Sequence, residues 1–292
     1  MPVFYTLAVN VLSMILIADS GSTKTEWMVI DNNLCSGTFI TSGFNPYYFK
    51  SNEIELLLAN ELPMNLNINK IDTVIYYGSG CSTEHNCSIV RSAFARLFFN
   101  ATITIYHDML AAAHALFSRS AGIACILGTG SNSCFYDGEN IVHQVPSLGY
   151  LLGDEGSATA IGKKLITSIV YKEAPKVIIE AFENTFDYTL GQILDLLYRK
   201  EKPGVFLSGF SKFVGDHISN PFCQDLVSGV FDDFIRVHLL KYDACYEIPV
   251  SFTGSVAFHF NGILKERLSK SGIQFGKTLA SPAEGLIAYY TS

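Results

Sequence analysis

The sequence predicts an α/β fold that is built twice, as two mixed β-sheets with helices on their faces, the second half enlarged by a helical insertion. Two observations carry this. The N-terminal half reads β-β-β-α-β-α-β-α, an order that calls for a mixed sheet covered by helices. A strand, a glycine turn and a second strand, followed by a strand–Gly–helix unit, then recur in the C-terminal half. Length agrees, because 292 residues make about two domains at roughly 100–200 residues each. The expected division is 14–119 and 120–292, with 1–13 as an N-terminal extension.

In chain order, Met14–Ala18 is an apolar run ended by Asp19 and the turn SGSTKT, and strands follow over Glu26–Asp31 and Cys35–Thr41. Ser51–Leu62 has helical spacing, Thr73–Tyr77 is a β-rich run entering Gly78–Gly80, and His85–Phe99 places Ile89, Ala93, Phe94 and Leu97 on one helical face. A strand over Thr102–Tyr106 and a helix over Met109–Phe117 close the first half. The second opens with a strand at Gly122–Leu127, the turn GTGSNS and strands at Cys134–Tyr136 and Ile141–Val145. Glu155–Val170, Lys176–Phe186, Leu190–Lys200 and Pro221–Leu240 are helical by period, and Ile248–Thr253 is a strand running into Gly254–Ser255 and a helix.

Composition narrows the function. The chain is 49% hydrophobic, 13% aromatic and 16% charged, which is enough apolar surface to offset the entropy of ordering. With 20 basic against 27 acidic residues and no Lys/Arg block, a nucleic-acid partner is excluded and small molecules are favoured. The seven cysteines are scattered and form no CxxC pair, so they read as reduced core residues of a cytoplasmic protein and not as a zinc site. Residues Met1 to Ala18 carry no charge, but the start has no Lys or Arg, and Asn10, Ser13 and Asp19 interrupt or end the run. Neither a signal peptide nor a membrane span is expected.

Five motifs carry chemistry. In DSGSTKTE, Gly21 lets a phosphate approach the backbone closely, and Ser22, Thr23 and Lys24 add donors, while Asp19 at the strand end suits Mg²⁺. LGTGSNS supplies a second hairpin of the same kind through Gly128, Thr129 and Gly130, and a pair of such hairpins is far more specific than either one. Asp108, in YHDML, lies at a strand–helix junction, where it serves either as a helix cap or as a general base toward an attacking hydroxyl. In GYLLGDEGS, the adjacent acids Asp154 and Glu155 between glycines suit the hydroxyls of a polyol. In FTGSV, Gly254 and Ser255 would let a flat ring lie against a helix start.

Taken in order, these motifs resemble those of the sugar kinase/actin/heat-shock-chaperone ATPase superfamily. More narrowly, they resemble the N-acetylglucosamine kinase-like proteins, which share sequence with the activator ATPases of benzoyl-CoA reductase and 2-hydroxyacyl-CoA dehydratase. The likeness runs from Met14 to the C-terminus. It implies a duplicated ribonuclease H-like (actin-like ATPase) fold around a nucleotide cleft, with ATP and Mg²⁺ as cofactors and an amino sugar phosphorylated on its 6-hydroxyl. By this resemblance Thr23 and Thr129 face phosphate, Asp108 is the catalytic base, Gly209 in LSGF joins Gly254 and Ser255 at the adenosine, and Asn45, Ser131, Asn132, Gly149 and Asp154 hold the sugar. The kinases carry Gly-Trp-Gly before GDEGS where this chain has Ser147-Leu148-Gly149, which leaves another amino sugar open. The activator ATPases are the alternative. They need cysteines that bridge an iron–sulfur cluster across a dimer, which makes Cys81 in YGSGC, and a homodimer, features to test.

Overall fold

The computed structural model describes residues 14–21, 23–199 and 203–292, so the expected extension over 1–13, the Ser22 contact and Lys200 lie outside the described residues. Packing divides the chain into two compact units. One runs through Ala111 and regains Ala283–Ser292, and the other is Ala112–Pro282.

The first unit contains β1 (Met14–Ser20), β2 (Lys24–Asp31), β3 (Leu34–Ser42), α1 (Ser51–Glu61), β4 (Ile71–Gly78), α2 (Glu84–Leu97), β5 (Thr102–His107) and the start of α3 (Asp108–Phe117). Its five strands lie in the order β3-β2-β1-β4-β5. The first three form an antiparallel meander, and β1–β4 and β4–β5 are parallel. As the central strand, β1 is covered on both faces, which is why Leu16, Ile17 and Ala18 are consecutive, apolar and fully buried. On one face Trp27 stacks on Phe39 at 5.8 Å and Phe44 on Tyr76 at 5.5 Å, with the edge of Phe94 5.1 Å from Tyr76. The buried face of α2 is Asn86, Cys87, Val90, Ala93 and Phe94, which keeps Ala93 and Phe94 of the expected stripe and leaves Ile89 and Leu97 partly buried.

In the second unit are β6 (Gly122–Leu127), β7 (Ser131–Tyr136), β8 (Ile141–Val145), the helices α4 (Gly149–Leu152), α5 (Ala158–Val170), α6 (Lys176–Thr185), α7 (Leu190–Tyr198), α8 (Pro203–Asp216) and α9 (Pro221–Val237), then β9 (Val250–Thr253), α10 (Ser255–His259), α11 (Asn261–Lys270) and β10 (Phe275–Leu279). The strand order β10-β9-β6-β7-β8 repeats that of the first unit, with β6 in the place of β1 and β10 in that of β5. This is the duplicated ribonuclease H-like fold. The helical insertion adds Phe182, Phe210, Phe213, Phe231 and Phe234 to the core that also holds Ile123, Leu127 and Phe252 of the sheet, each buried ring contributing roughly 1.5–3 kcal/mol.

The helix expected from Glu155 begins instead at Ala158. Asp154 and Gly156 take positive φ angles of 61° and 81°, which no helix tolerates, and Ser157 caps α5 by accepting the Ala160 N–H at 3.2 Å. Elements beyond the expected set include α4, α8, α11, β10 and α12 (Ala283–Thr291). The last packs on β2 and β3, and the Tyr77 and Tyr290 hydroxyls lie 2.6 Å apart, which is why the C-terminus groups with the first unit. All seven cysteines are free thiols, six of them buried and Cys35 exposed. Among the described residues no helix is long and apolar enough to cross a membrane.

Candidate active-site residues in each unit

In the first unit the β1–β2 hairpin is closed by the Gly21 N–H donating to Lys24 O at 3.0 Å and by the Ser20 and Thr25 hydroxyls, buried and 2.7 Å apart. It rests on Gly43, whose N–H donates to Thr23 O at 3.0 Å. A Cβ at Gly43 would stand 2.2 Å from Gly21 O and 2.5 Å from Lys24 N, so only glycine lets the strand after the hairpin approach this closely. Thr23 and Lys24 are exposed at the tip, and the Lys24 ammonium lies 3.8 Å from Glu26.

Asp19, on β1 opposite Glu26, has its carboxyl pushed up to about 7, first by desolvation and then by the charges of Asp108 and Glu26, against the pull of Lys24. Among the described residues no group of three or more His, Cys, Asp or Glu side chains could hold a metal ion by itself. A lone, desolvated carboxylate beside other acids instead suits Mg²⁺, which takes most of its ligands from phosphate oxygens and water.

Asp108 is the first residue of α3. His107 Nδ1 is 3.0 Å from Asp108 Oδ1 and accepts the Met109 N–H at 3.3 Å. Among the described residues the buried Oδ1 has no hydrogen-bond donor. Asn45 presents its Oδ1 to the Tyr47 N–H at 3.0 Å in an Asx turn and packs against Gly80, where a Cβ would come within 2.3 Å of it. Its amide N–H groups are the part that can reach a ligand.

The β6–β7 hairpin of the second unit is held differently. Gly128 N–H donates to Gly130 O at 3.0 Å, and the first amides of α5 bond its carbonyls, Ala158 N–H to Gly128 O at 2.9 Å and Thr159 N–H to Thr129 O at 3.2 Å. The Thr159 hydroxyl also donates to Thr129 O. Helix and hairpin are thus one rigid piece, with Thr129 exposed at its tip. Asp154 is 8% exposed and accepts the Ser131 N–H at 3.2 Å through Oδ1, while desolvation raises its carboxyl pKa against the pull of that bond and of Lys163. Beside it the Ser131 hydroxyl is buried without a partner. Asn132 Oδ1 accepts from Ser133 N–H at 2.9 Å and Gln144 Nε2 at 3.1 Å, which leaves its amide N–H groups for a ligand.

The remaining residues differ in how closely they join these groups. Gly149 opens the short helix α4 with φ +68°, and a Cβ there would meet nothing. Gly254, at φ +114°, presses on the end of β6, where a Cβ would fall 2.4 Å from Leu127 O, and exposed Ser255 follows. Gly209 lies exposed on α8, which packs along α5. Sequence reasoning missed Gly43, which lies two residues before Asn45 in SGFNPYY, and the buried histidine His238, described below, which sits in no motif.

A doubled five-stranded sheet order with a glycine hairpin between the first two strands of each half defines the sugar kinase/actin/heat-shock-chaperone ATPase class. No protein-family model and no curated protein sequence matches the chain. Among solved structures, one from Porphyromonas gingivalis described as a "putative N-acetylglucosamine kinase" is 41% identical, with a TM-score of 0.91 over 95% of this chain and 99% of that one. One of the same description from Chromobacterium violaceum is 14% identical, with a TM-score of 0.71 over 96% and 99%. A ROK family glucokinase from Streptomyces griseus, solved with glucose and AMPPNP, is 12% identical with a TM-score of 0.55 over 95% and 98%; like the second, it shares the fold alone. The protein belongs to the N-acetylglucosamine kinase-like family.

Proposed function

We propose that the protein is an ATP-dependent sugar kinase that transfers the γ-phosphoryl group to the 6-hydroxyl of N-acetylglucosamine or a related amino sugar. The observation that carries the reading is Asp108: a carboxylate at the N-terminus of α3 with one buried oxygen that no donor satisfies, in a chain that belongs to this family.

Phosphoryl transfer to an alcohol needs positioning, charge neutralisation and a base for the hydroxyl proton. Asp108 would take that proton. Asn45, Asn132, Ser131 and Asp154 would orient the sugar, with Gly149 letting the chain turn beside it. Thr23, Lys24 and the Gly21 turn in one unit, with Gly128, Thr129 and Gly130 in the other, would bind phosphate oxygens, and Gly209, Gly254 and Ser255 would border the adenosine. Asp19 would hold Mg²⁺, which when bound neutralises phosphate charge, and ATP supplies the group transferred. Measuring ADP release against a panel of amino sugars tests the reading. Stoichiometric release with N-acetylglucosamine is expected, and release that no sugar stimulates would sink it.

The activator-ATPase alternative draws less support. Cys81 is buried beside Cys87, whose thiol donates to Cys81 O at 3.6 Å, and burial pushes the Cys81 thiol up to about 12. A cluster ligand needs the opposite, an accessible thiolate.

A further inference from the structure

Two segments of the second unit that the proposed function assigns to the sugar are Ser131–Asn132 at the start of β7 and the Asp154–Gly156 turn. They are tied together twice. The first tie is the Ser131 N–H to Asp154. The second runs through residues that no step of the proposed reaction uses. At the C-cap of α9, His238 is 2% exposed and stacks on Phe234 with ring centroids 4.8 Å apart. Its Nδ1 is 3.2 Å from Ser133 Oγ, and its Nε2 is 3.5 Å from Glu155 Oε2. Ser133 Oγ is in turn 2.8 Å from Tyr242 Oη, which accepts the Val145 N–H at 3.1 Å.

Proton counting settles the direction of this chain. Tyr242 already accepts from Val145, so its own proton goes to Ser133. Ser133 then donates to His238 Nδ1, which must be bare, and the ring proton sits on Nε2 facing the Glu155 carboxylate. A doubly protonated ring would set the Nδ1–H against the Ser133 hydroxyl proton. Burial also lowers the imidazole pKa, although Glu155 pulls it the other way.

The same end of α9 forms the floor of the turn. Gly156 lies against Phe234, where a Cβ would come within 2.8 Å. The Asp154–Gly156 turn therefore stands on one residue of α9 and is braced sideways by another.

We propose that His238 is a positioning residue, held as the neutral Nε2–H tautomer, that braces the strand carrying Asn132 against the turn carrying Asp154 and so sets the sugar-binding geometry. The sugar role rests on the kinase reading, whereas the tautomer does not. Removing the brace loosens two sugar contacts and leaves the hairpin tips alone, so it acts on sugar KM and not on nucleotide KM.

The test uses the full chain. Ring ¹⁵N NMR at neutral pH should find His238 with Nδ1 unprotonated; an Nδ1–H tautomer or an imidazolium overturns the brace. In steady-state kinetics, His238→Phe should raise sugar KM about tenfold, the worth of roughly one buried hydrogen bond, with nucleotide KM within about twofold. His238→Gln, which keeps a donor toward Glu155, should recover part of that loss. Tyr242→Phe removes only the head of the chain and should raise sugar KM by about threefold, which keeps the test open if His238→Phe fails to fold. An unchanged sugar KM in a folded variant, or equal losses for both substrates, overturns the proposal. If the wild-type chain turns over no sugar yet shows the Nε2–H tautomer, the kinase reading fails and the brace stands without its sugar role. If it turns over sugar with the Nδ1–H tautomer, the brace alone fails.

Discussion

The two units place the same hairpin between the same two strands and support it by different means. In the first, β1–β2 leans on the backbone after β3 at Gly43 and keeps its chemistry in charged groups, Asp19 and Asp108, that are desolvated or short of partners. In the second, β6–β7 is fastened to the start of α5 through Ala158 and Thr159, and its neighbours are Asp154, Ser131 and Asn132. A hairpin pressed against backbone at one glycine cannot give way at that glycine. A hairpin held by several hydrogen bonds spreads the load. The difference teaches that a duplicated fold need not support its two copies of one hairpin in the same way.

The largest expected effect is at Asp108. Asp108→Asn should cut turnover by about 10²–10⁴ while thermal unfolding stays within a degree or two, since a general base contributes about that much to rate and little to packing. Full kinase activity in that variant would break the assignment of Asp108 as the base. Next comes the contrast in support. Gly43→Ala should destabilise the protein by about 3 kcal/mol in urea unfolding, because the clash is with backbone that cannot swing away. Gly128→Ala, with nothing within 4 Å of its Cβ, should cost well under about 1 kcal/mol. Equal costs would erase the distinction between the two hairpins. Asp154→Asn should raise sugar KM about 10–100-fold by disturbing a buried hydrogen-bonded carboxylate, with nucleotide KM unmoved.

A further pair of effects lies in pH dependence, with opposite signs in the two units. His114, buried in the second unit with its edge toward Tyr136, has its pKa pushed down to about 4 by desolvation and then by Arg119. The unfolded chain takes up that proton near the ordinary histidine value of about 6.5 while the folded chain does not, so stability is lost as pH falls from about 6.5 toward 4. Asp19 works the other way. Its folded pKa of about 7 exceeds the ordinary carboxylate value of 3.8, so folding loses stability as pH rises between them. Asp19→Asn should therefore be more stable than wild type at pH 8 and no different below pH 4, as read by chemical denaturation at each pH. A variant less stable at pH 8 would show that Asp19 is not strained by burial.

Much of the fold was legible in local pattern. The unbroken apolar runs of β1 and β6, the glycine turns after them and the strand–Gly–helix units are short-range signals, and the structure returns all of them as two sheets of matching order. Elements that depend on distant partners were not legible. β10 is five residues with two exposed, and α12 has no polar face to mark it; each forms because a sheet or a unit far along the chain is there to receive it. Of the candidate residues, those in motifs were readable because glycines, hydroxyls and acids cluster at turns. The start of α5 was misplaced, because Asp154 and Gly156 take positive φ angles, and Asp154 pairs with the Ser131 amide 23 positions away.

The sequence by itself determined the doubled α/β plan and which side chains could do phosphoryl chemistry, because hydrophobic period and turn composition act over a few residues. Only the tertiary structure decided that Asp108 has a buried oxygen without a donor among the described residues, that Gly43 must be glycine and that His238 stands between Ser133 and Glu155. Those facts depend on which atoms meet across long stretches of chain, and no local pattern of residues records such a meeting.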